Sequence, residues 1–191
     1  MQRFNFLLII GLITLLTSCS KEVKKESIII EKKLGSQAIE AFNEGKKALE
    51  EGDSLFAAKK FNEVEILFPQ SDLAPRSLLM AAYAYYFQDY YQDAVAELQR
   101  FLRVYPLHEN IDYAYYLLAI SYYEQIVDEK KDLQSIINAK ENFDIVIKKF
   151  PDTDYALDAK FKIGLINDIL ASKEMYIGRY YFQKKKMDIF D

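Results

Sequence analysis

Residues Ala94–Pro106 read AVAELQRFLRVYP. Ala94, Leu98 and Phe101 follow one another at spacings of four and three, which puts all three on one face of a helix. Tyr105-Pro106 ends that helix, because proline lacks an amide hydrogen and its ring collides with the preceding turn. The same order precedes two other prolines: Ala57, Phe61, Val64 and Phe68 before Pro69, and Ala139, Phe143, Val146 and Phe150 before Pro151. One apolar stripe and one stop therefore occur three times.

Further positions share the register. Thirteen residues after each proline stands a small residue: Ala82, Ala119 and Gly164. Gly45 precedes Ala57 by twelve residues, as Ala82 precedes Ala94. Small residues at these points let two helices approach closely. Tyr85 and Tyr122 lie three residues after Ala82 and Ala119. Small residue, Tyr, Ala-x-x-x-Phe, then Pro is the tetratricopeptide pattern. The fold class expected is an all-α tetratricopeptide-repeat solenoid of antiparallel helix pairs. Pro69 to Pro106 spans 37 residues and Pro106 to Pro151 spans 45. The surplus falls at VDEKKDLQ, Val127–Gln134, a charged stretch expected to be a solvated loop. The expected helices are Ser36–Glu50, Ser54–Phe68, Ser71–Phe87, Tyr91–Tyr105, Ile111–Val127, Leu133–Phe150, Asp154–Ala171 and Ser172–Lys186. Gly52-Asp53 separates the first pair, and Ser71 can cap its helix with Pro75 in the first turn.

The start of the chain follows a different logic. Arg3 precedes the uncharged run FLLIIGLITLL, Phe6–Leu16. That run is shorter than the ~20 residues a spanning helix needs, and it fits the apolar centre of a secretory signal. Leu16-Thr17-Ser18-Cys19 resembles the bacterial lipobox, whose cysteine becomes the new N-terminus and carries the acyl chains. Cys19 is the sole cysteine, so it has no disulfide partner within the chain. The resemblance implies a diacylglycerol and an N-acyl lipid on Cys19, and no other cofactor. Ser20 in place of Asp implies, by the same resemblance, the outer rather than the inner membrane. The organisation expected is a lipoprotein signal peptide over residues 1–18, a lipidated tether over 19–34, the repeat domain over 35–186 and a tail over 187–191.

Composition narrows function. The net charge is −4, with 29 acidic and 25 basic side chains and no clustered basic surface, which argues against nucleic acid as a partner. Fifteen Tyr and thirteen Phe, with few Gly and Pro, suit packed helices whose gaps are filled by rings. No phosphate-cradling Gly loop or set of metal-ligand spacings occurs. His108, the single histidine, reads as a polar turn residue in YPLHEN. An enzyme is not expected. The better candidate is the concave surface of the stack, lined by the first helix of each pair. Counting from the small residue at −6, −3, +1 and +4 gives Arg76, Leu79, Tyr83 and Tyr86 from Ala82. The same count gives Tyr113, Tyr116, Ile120 and Tyr123 from Ala119, and Ile39, Phe42, Lys46 and Leu49 from Gly45. Phe42, Arg76, Tyr83, Tyr86, Tyr113, Tyr116 and Tyr123 form the candidate peptide-binding groove. Rings offer large contact area at low entropy cost, and Arg76 can pair with a terminal carboxylate. The alternative for the same residues is packing between repeats, or an N-terminal segment folded into the groove.

Three stretches go beyond a generic repeat. NIDYAYYLLAISYYEQI (Asn110–Ile126), FPQSDLAPRSLLMAAYAYYFQDYYQDAVAELQRFLRVYP (Phe68–Pro106) and SKEMYIGRYYFQKKK (Ser172–Lys186) resemble the BamD family, lipoprotein subunits of the outer-membrane β-barrel assembly machine. The resemblance implies a lipid-anchored protein on the inner leaflet of the outer membrane, facing the periplasm. It implies that the protein recruits unfolded outer-membrane protein precursors and delivers them to the barrel-forming subunit, alongside other accessory lipoproteins. Family members continue for a further helix pair or more, and those repeats carry much of the docking to the barrel-forming subunit and to another lipoprotein. The expectation for this chain, which stops at Asp191, is a shortened stack whose last helix lacks a partner. The alternatives are a repeat lipoprotein of another envelope assembly, pilotin-like or cell-division-associated, and a subunit of a peptidoglycan-handling enzyme, which would need paired carboxylates in a deep cleft.

Overall fold

A computed structural model describes residues 23–126 and 133–187, with side chains for 35–126 and 133–185. The signal peptide, Cys19, Val127–Asp132 of the insertion, and residues 188–191 lie outside the described residues. Seven helices follow one another: α1 Val23–Glu50, α2 Ser54–Leu67, α3 Ala74–Phe87, α4 Tyr91–Val104, α5 Ile111–Tyr123, α6 Gln134–Lys149 and α7 Asp154–Met187. Each packs on its neighbour in sequence, and α3 meets α5 and α5 meets α7 across repeats. Among the described residues there is no strand.

The repeat register holds in three dimensions. Ala57, Ala94 and Ala139 are fully buried, as are Phe61, Leu98 and Phe143, and Val64, Phe101 and Val146. Each triplet anchors one of three core clusters, in which α2, α4 or α6 is clamped between the helices before and after it. Removing such rings from water is the main stabilising term. Gly45 shows the close approach that the register demands. A Cβ built there would lie 2.9 Å from Phe61 Cε1. Gly164 does not serve this purpose: nothing lies within 4 Å of a Cβ there. No following helix among the described residues packs on α7 as α2 packs on α1.

The turns repeat too. Phe68, Tyr105 and Phe150 close their helices with bonds to Val64, Phe101 and Val146 of 2.9, 2.8 and 2.9 Å. After each proline, the backbone amides of Ser71, His108 and Thr153 donate back to Phe68, Tyr105 and Phe150. The side chains of these three residues then accept from the next helix start: Ser71 Oγ from Leu73 N at 3.2 Å, His108 Nδ1 from Asn110 N at 3.1 Å, and Thr153 Oγ1 from Ala156 N at 3.2 Å. His108 is thus a turn cap, with its ring edge-on to Phe101 at 5.4 Å.

The turns inside the first two pairs share another design. Gly52 (φ 87°) and Asp89 (φ 61°) take the left-handed conformation. The following amides, Asp53 and Tyr90, bond back to Ala48 and Tyr85 at 2.9 and 3.0 Å. This is the Schellman arrangement, which satisfies carbonyls left over at a helix end. Asp53 also caps α2, accepting from Phe56 N at 3.1 Å.

Several boundaries differ from the sequence reading. The first helix begins at Val23 rather than Ser36, and α5 ends at Tyr123 rather than Val127. The two helices expected on either side of Ala171 are one, α7. The stretch around Ala171-Ser172 has neither the proline nor the left-handed residue that ends the earlier helices, so the helix continues. Tyr176, Tyr180, Tyr181 and Phe182 on its last turns are exposed.

Candidate peptide-binding groove

The helices of the concave side, α1, α3, α5 and α7, present the groove positions. A cavity of about 430 Å³ lies between them, lined by Phe42 and Lys46 of α1, Arg76, Leu79, Met80 and Tyr83 of α3, Asn110 and Tyr113 at the start of α5, and Tyr155 of α7. Its size is that of a small-ligand site. Phe42 forms the floor, nearly buried and edge-on to Phe61 at 5.4 Å. The Arg76 guanidinium carbon stands 5.9 Å from the Phe42 ring centroid, a cation–π placement.

The wall is aromatic and cationic. Lys46 and Arg76 are both exposed, and neither forms an ion pair among the described residues. No carboxylate lines the cavity. Such a wall favours an anionic group near apolar side chains, because two cations without a counter-charge leave a positive potential. Tyr113 is largely enclosed, and burial pushes its phenol pKa well above the usual value. It remains a neutral hydrogen-bonding group.

The candidate residues do not all meet here. Phe42, Arg76, Tyr83 and Tyr113 line the cavity; Tyr86, Tyr116 and Tyr123 do not. Tyr86 packs on Tyr91, with ring centroids 5.7 Å apart. Tyr123 packs on Phe143 at 6.4 Å and receives Lys162 over its ring at 4.9 Å. Tyr116 lies under Tyr155, stacked at 5.1 Å, and its hydroxyl donates to Asp158 Oδ2 at 2.8 Å. Burial and that bond raise its pKa.

Tyr155 and Asn110 were missed by counting from the small residues. Both stand four residues after a proline, at the start of a groove helix, so counting from the prolines finds them together. Among the described residues, no three His, Cys, Asp or Glu residues gather as a metal site, and no helix is long and apolar enough to cross a membrane.

Comparisons with known proteins agree with this architecture. Two solved structures share the fold. The first TPR of Spaghetti (RPAP3), bound to the HSP90 peptide SRMEEVD, superimposes with a TM-score of 0.55 at 18% identity, covering 72% of this chain and 95% of that one. The first TPR domain of human RPAP3 gives 0.54 at 19% identity, with the same coverage. The family model YfiO, described as outer membrane lipoprotein, matches residues 35–188. The outer membrane protein assembly factor BamD of Rickettsia prowazekii is 39% identical over 184 residues, 96% of this chain and 70% of that protein. BamD of Caulobacter vibrioides is 37% identical over 166 residues, 86% of this chain. BamD of Neisseria gonorrhoeae is 33% identical over 138 residues. The chain spans about half the length of these last two relatives, 53% and 52%. By its match over most of its length, the chain belongs to the YfiO family of outer membrane lipoproteins, the BamD outer membrane protein assembly factors.

Proposed function

We propose that this chain is a non-enzymatic scaffold of outer-membrane protein assembly that holds unfolded outer-membrane proteins by short aromatic segments in the cavity between α1, α3 and α5. The observation that carries the reading is the cavity wall. Phe42, Tyr83, Tyr113 and Tyr155 supply ring surface, while Lys46 and Arg76 supply unpaired positive charge. Acyl chains on Cys19 would hold the scaffold on the inner leaflet of the outer membrane, facing the periplasm, with more than one chain needed for firm anchoring. The charged stretch from Ser20 would set its reach from the bilayer. From there it would pass its clients to the barrel-forming subunit, with accessory lipoproteins as further partners.

The test is photo-cross-linking in living cells from a benzophenone residue placed at Tyr83, with Leu107, exposed in a turn, as the control. Adducts with newly secreted outer-membrane proteins at Tyr83 and none at Leu107 are expected. Equal yields at the two positions would overturn the groove as the client site.

A further inference from the structure

Tyr155 is the contribution of α7 to the cavity wall, and it joins the cavity from the side. Its ring stacks on Tyr116 at 5.1 Å and tilts against Tyr113 at 5.5 Å. Tyr116 occupies a position that the repeat register assigns to the concave surface, yet it lies beneath Tyr155 instead of lining the cavity. The register assigns the next such position to Phe161 of α7, which is 65% exposed. Open concave surface therefore exists on both sides of the Tyr113–Tyr155–Tyr116 stack, and the stack stands between.

We infer that Tyr155 is a stop that ends the groove and restricts its occupant to the end of a chain, an inference that rests on the groove being the client site. A segment from the middle of a polypeptide needs two ways out of its binding site; a chain end needs one. With Tyr155 closing the side toward α7, one way remains, toward α1. The closed end is also where a terminal carboxylate is best received. The wall holds Lys46 and Arg76 and no carboxylate of its own, so a C-terminal charge meets attraction without competition. Tyr155 is thus a specificity-determining residue. It selects chain ends by excluding a continuing backbone, which is discrimination by a built-in clash.

The experiment uses the full chain and two fluorescein-labelled Ser/Gly peptides. One carries Phe-Phe at its free C-terminus; the other carries the same pair at its centre and ends in an amide. Anisotropy should show the first binding and the second at least about tenfold weaker. Tyr155→Leu keeps an apolar group over Tyr116 while removing the ring that closes the groove. It should raise affinity for the central-pair peptide about tenfold and leave the terminal-pair peptide nearly unchanged. Hydroxyl-radical footprinting supplies a readout independent of peptide: Tyr116 should be protected in the parent chain and reactive in Tyr155→Leu. Circular dichroism melts confirm that the variant is folded, and Tyr155→Phe, which keeps the ring, should behave as the parent. Equal binding of both peptides by the parent chain overturns the stop. So does an unchanged preference in a folded Tyr155→Leu whose Tyr116 has become reactive. If the parent binds neither peptide, the groove reading itself fails and the stop falls with it.

Discussion

The Tyr116 hydroxyl of α5 donates a 2.8 Å hydrogen bond to Asp158 Oδ2 of α7, tying two groove helices together beneath Tyr155. Burial first, and this bond second, hold the phenol proton, so the folded chain keeps Tyr116 neutral at a pH where the unfolded chain begins to lose it. A folded pKa raised above the unfolded value stabilises fully below that value, near pH 10 for tyrosine, and the contribution is lost as pH rises beyond it. Tyr113 adds to the same trend, chiefly through burial. Thermal midpoints should therefore fall as pH climbs above about 10. Tyr116→Phe should cost about 1 kcal/mol at neutral pH by removing the bond, and should make the alkaline fall shallower. Melts at stepped pH decide the matter: an alkaline slope unchanged by Tyr116→Phe would show that Tyr116 does not carry it.

Two glycines at equivalent repeat positions should respond to alanine in opposite ways. At Gly45 the new Cβ would lie 2.9 to 3.1 Å from three atoms of the Phe61 ring, which is fully buried and has nowhere to move. Gly45→Ala should destabilise by about 1–3 kcal/mol, the usual cost of overpacking. At Gly164 the Cβ would meet nothing within 4 Å. There Gly164→Ala should stabilise by about 0.5–1 kcal/mol through helix propensity. Urea titration of both variants is sufficient. A loss at Gly164 would mean that a further element covers α7 at this point.

That contrast also marks how far the sequence could be read. The stripes ending at Phe68, Tyr105 and Phe150 were legible because helical spacing and a proline stop are local signals, and all nine stripe residues proved fully buried. The family was legible from longer stretches such as Asn110–Ile126. Tyr155 was not found as a groove residue, because its repeat position was counted from the wrong landmark. That its ring would cover Tyr116 follows from rotamer and helix packing, which no spacing encodes. The single helix α7 was missed because the repeat pattern suggested a turn where no breaking residue stands.

A second feature hidden from local pattern is the polar clamp between α2 and α4. Arg100 Nη1 lies 2.6 Å from Glu65 Oε2, and Arg100 Nη2 donates to Asn62 Oδ1 at 3.2 Å. Glu97 receives Arg100 Nε at 2.9 Å and Asn62 Nδ2 at 3.0 Å. Glu65 is buried, so losing its cation leaves a charge without compensation. Arg100→Met should destabilise by about 2–3 kcal/mol, less than for a wholly buried pair because Arg100 keeps some exposure. Glu65→Leu added to Arg100→Met should recover much of that loss, since the stranded charge is gone. The double-mutant cycle measures the coupling. Additive losses would show that the two side chains act independently.

The turn at Pro106 offers the last prediction. His108 does there what Ser71 and Thr153 do after the other two prolines: its Nδ1 accepts the amide of the residue two further on, Asn110, at 3.1 Å. Accepting at Nδ1 requires the neutral ring with its proton on Nε2. Asparagine can keep an acceptor of similar reach, whereas leucine keeps bulk against Phe101 and loses the acceptor. His108→Asn should therefore stay within about 0.5 kcal/mol of the parent, and His108→Leu should cost about 1 kcal/mol, as for a lost helix cap. Amide exchange separates capping from packing. Asn110 should exchange faster in His108→Leu and stay protected in His108→Asn. Because Asn110 lines the cavity, the leucine variant should also bind aromatic-ended peptides more weakly than the asparagine variant. Equal Asn110 exchange in both variants would show that His108 holds the turn through its ring on Phe101, and not through its nitrogen.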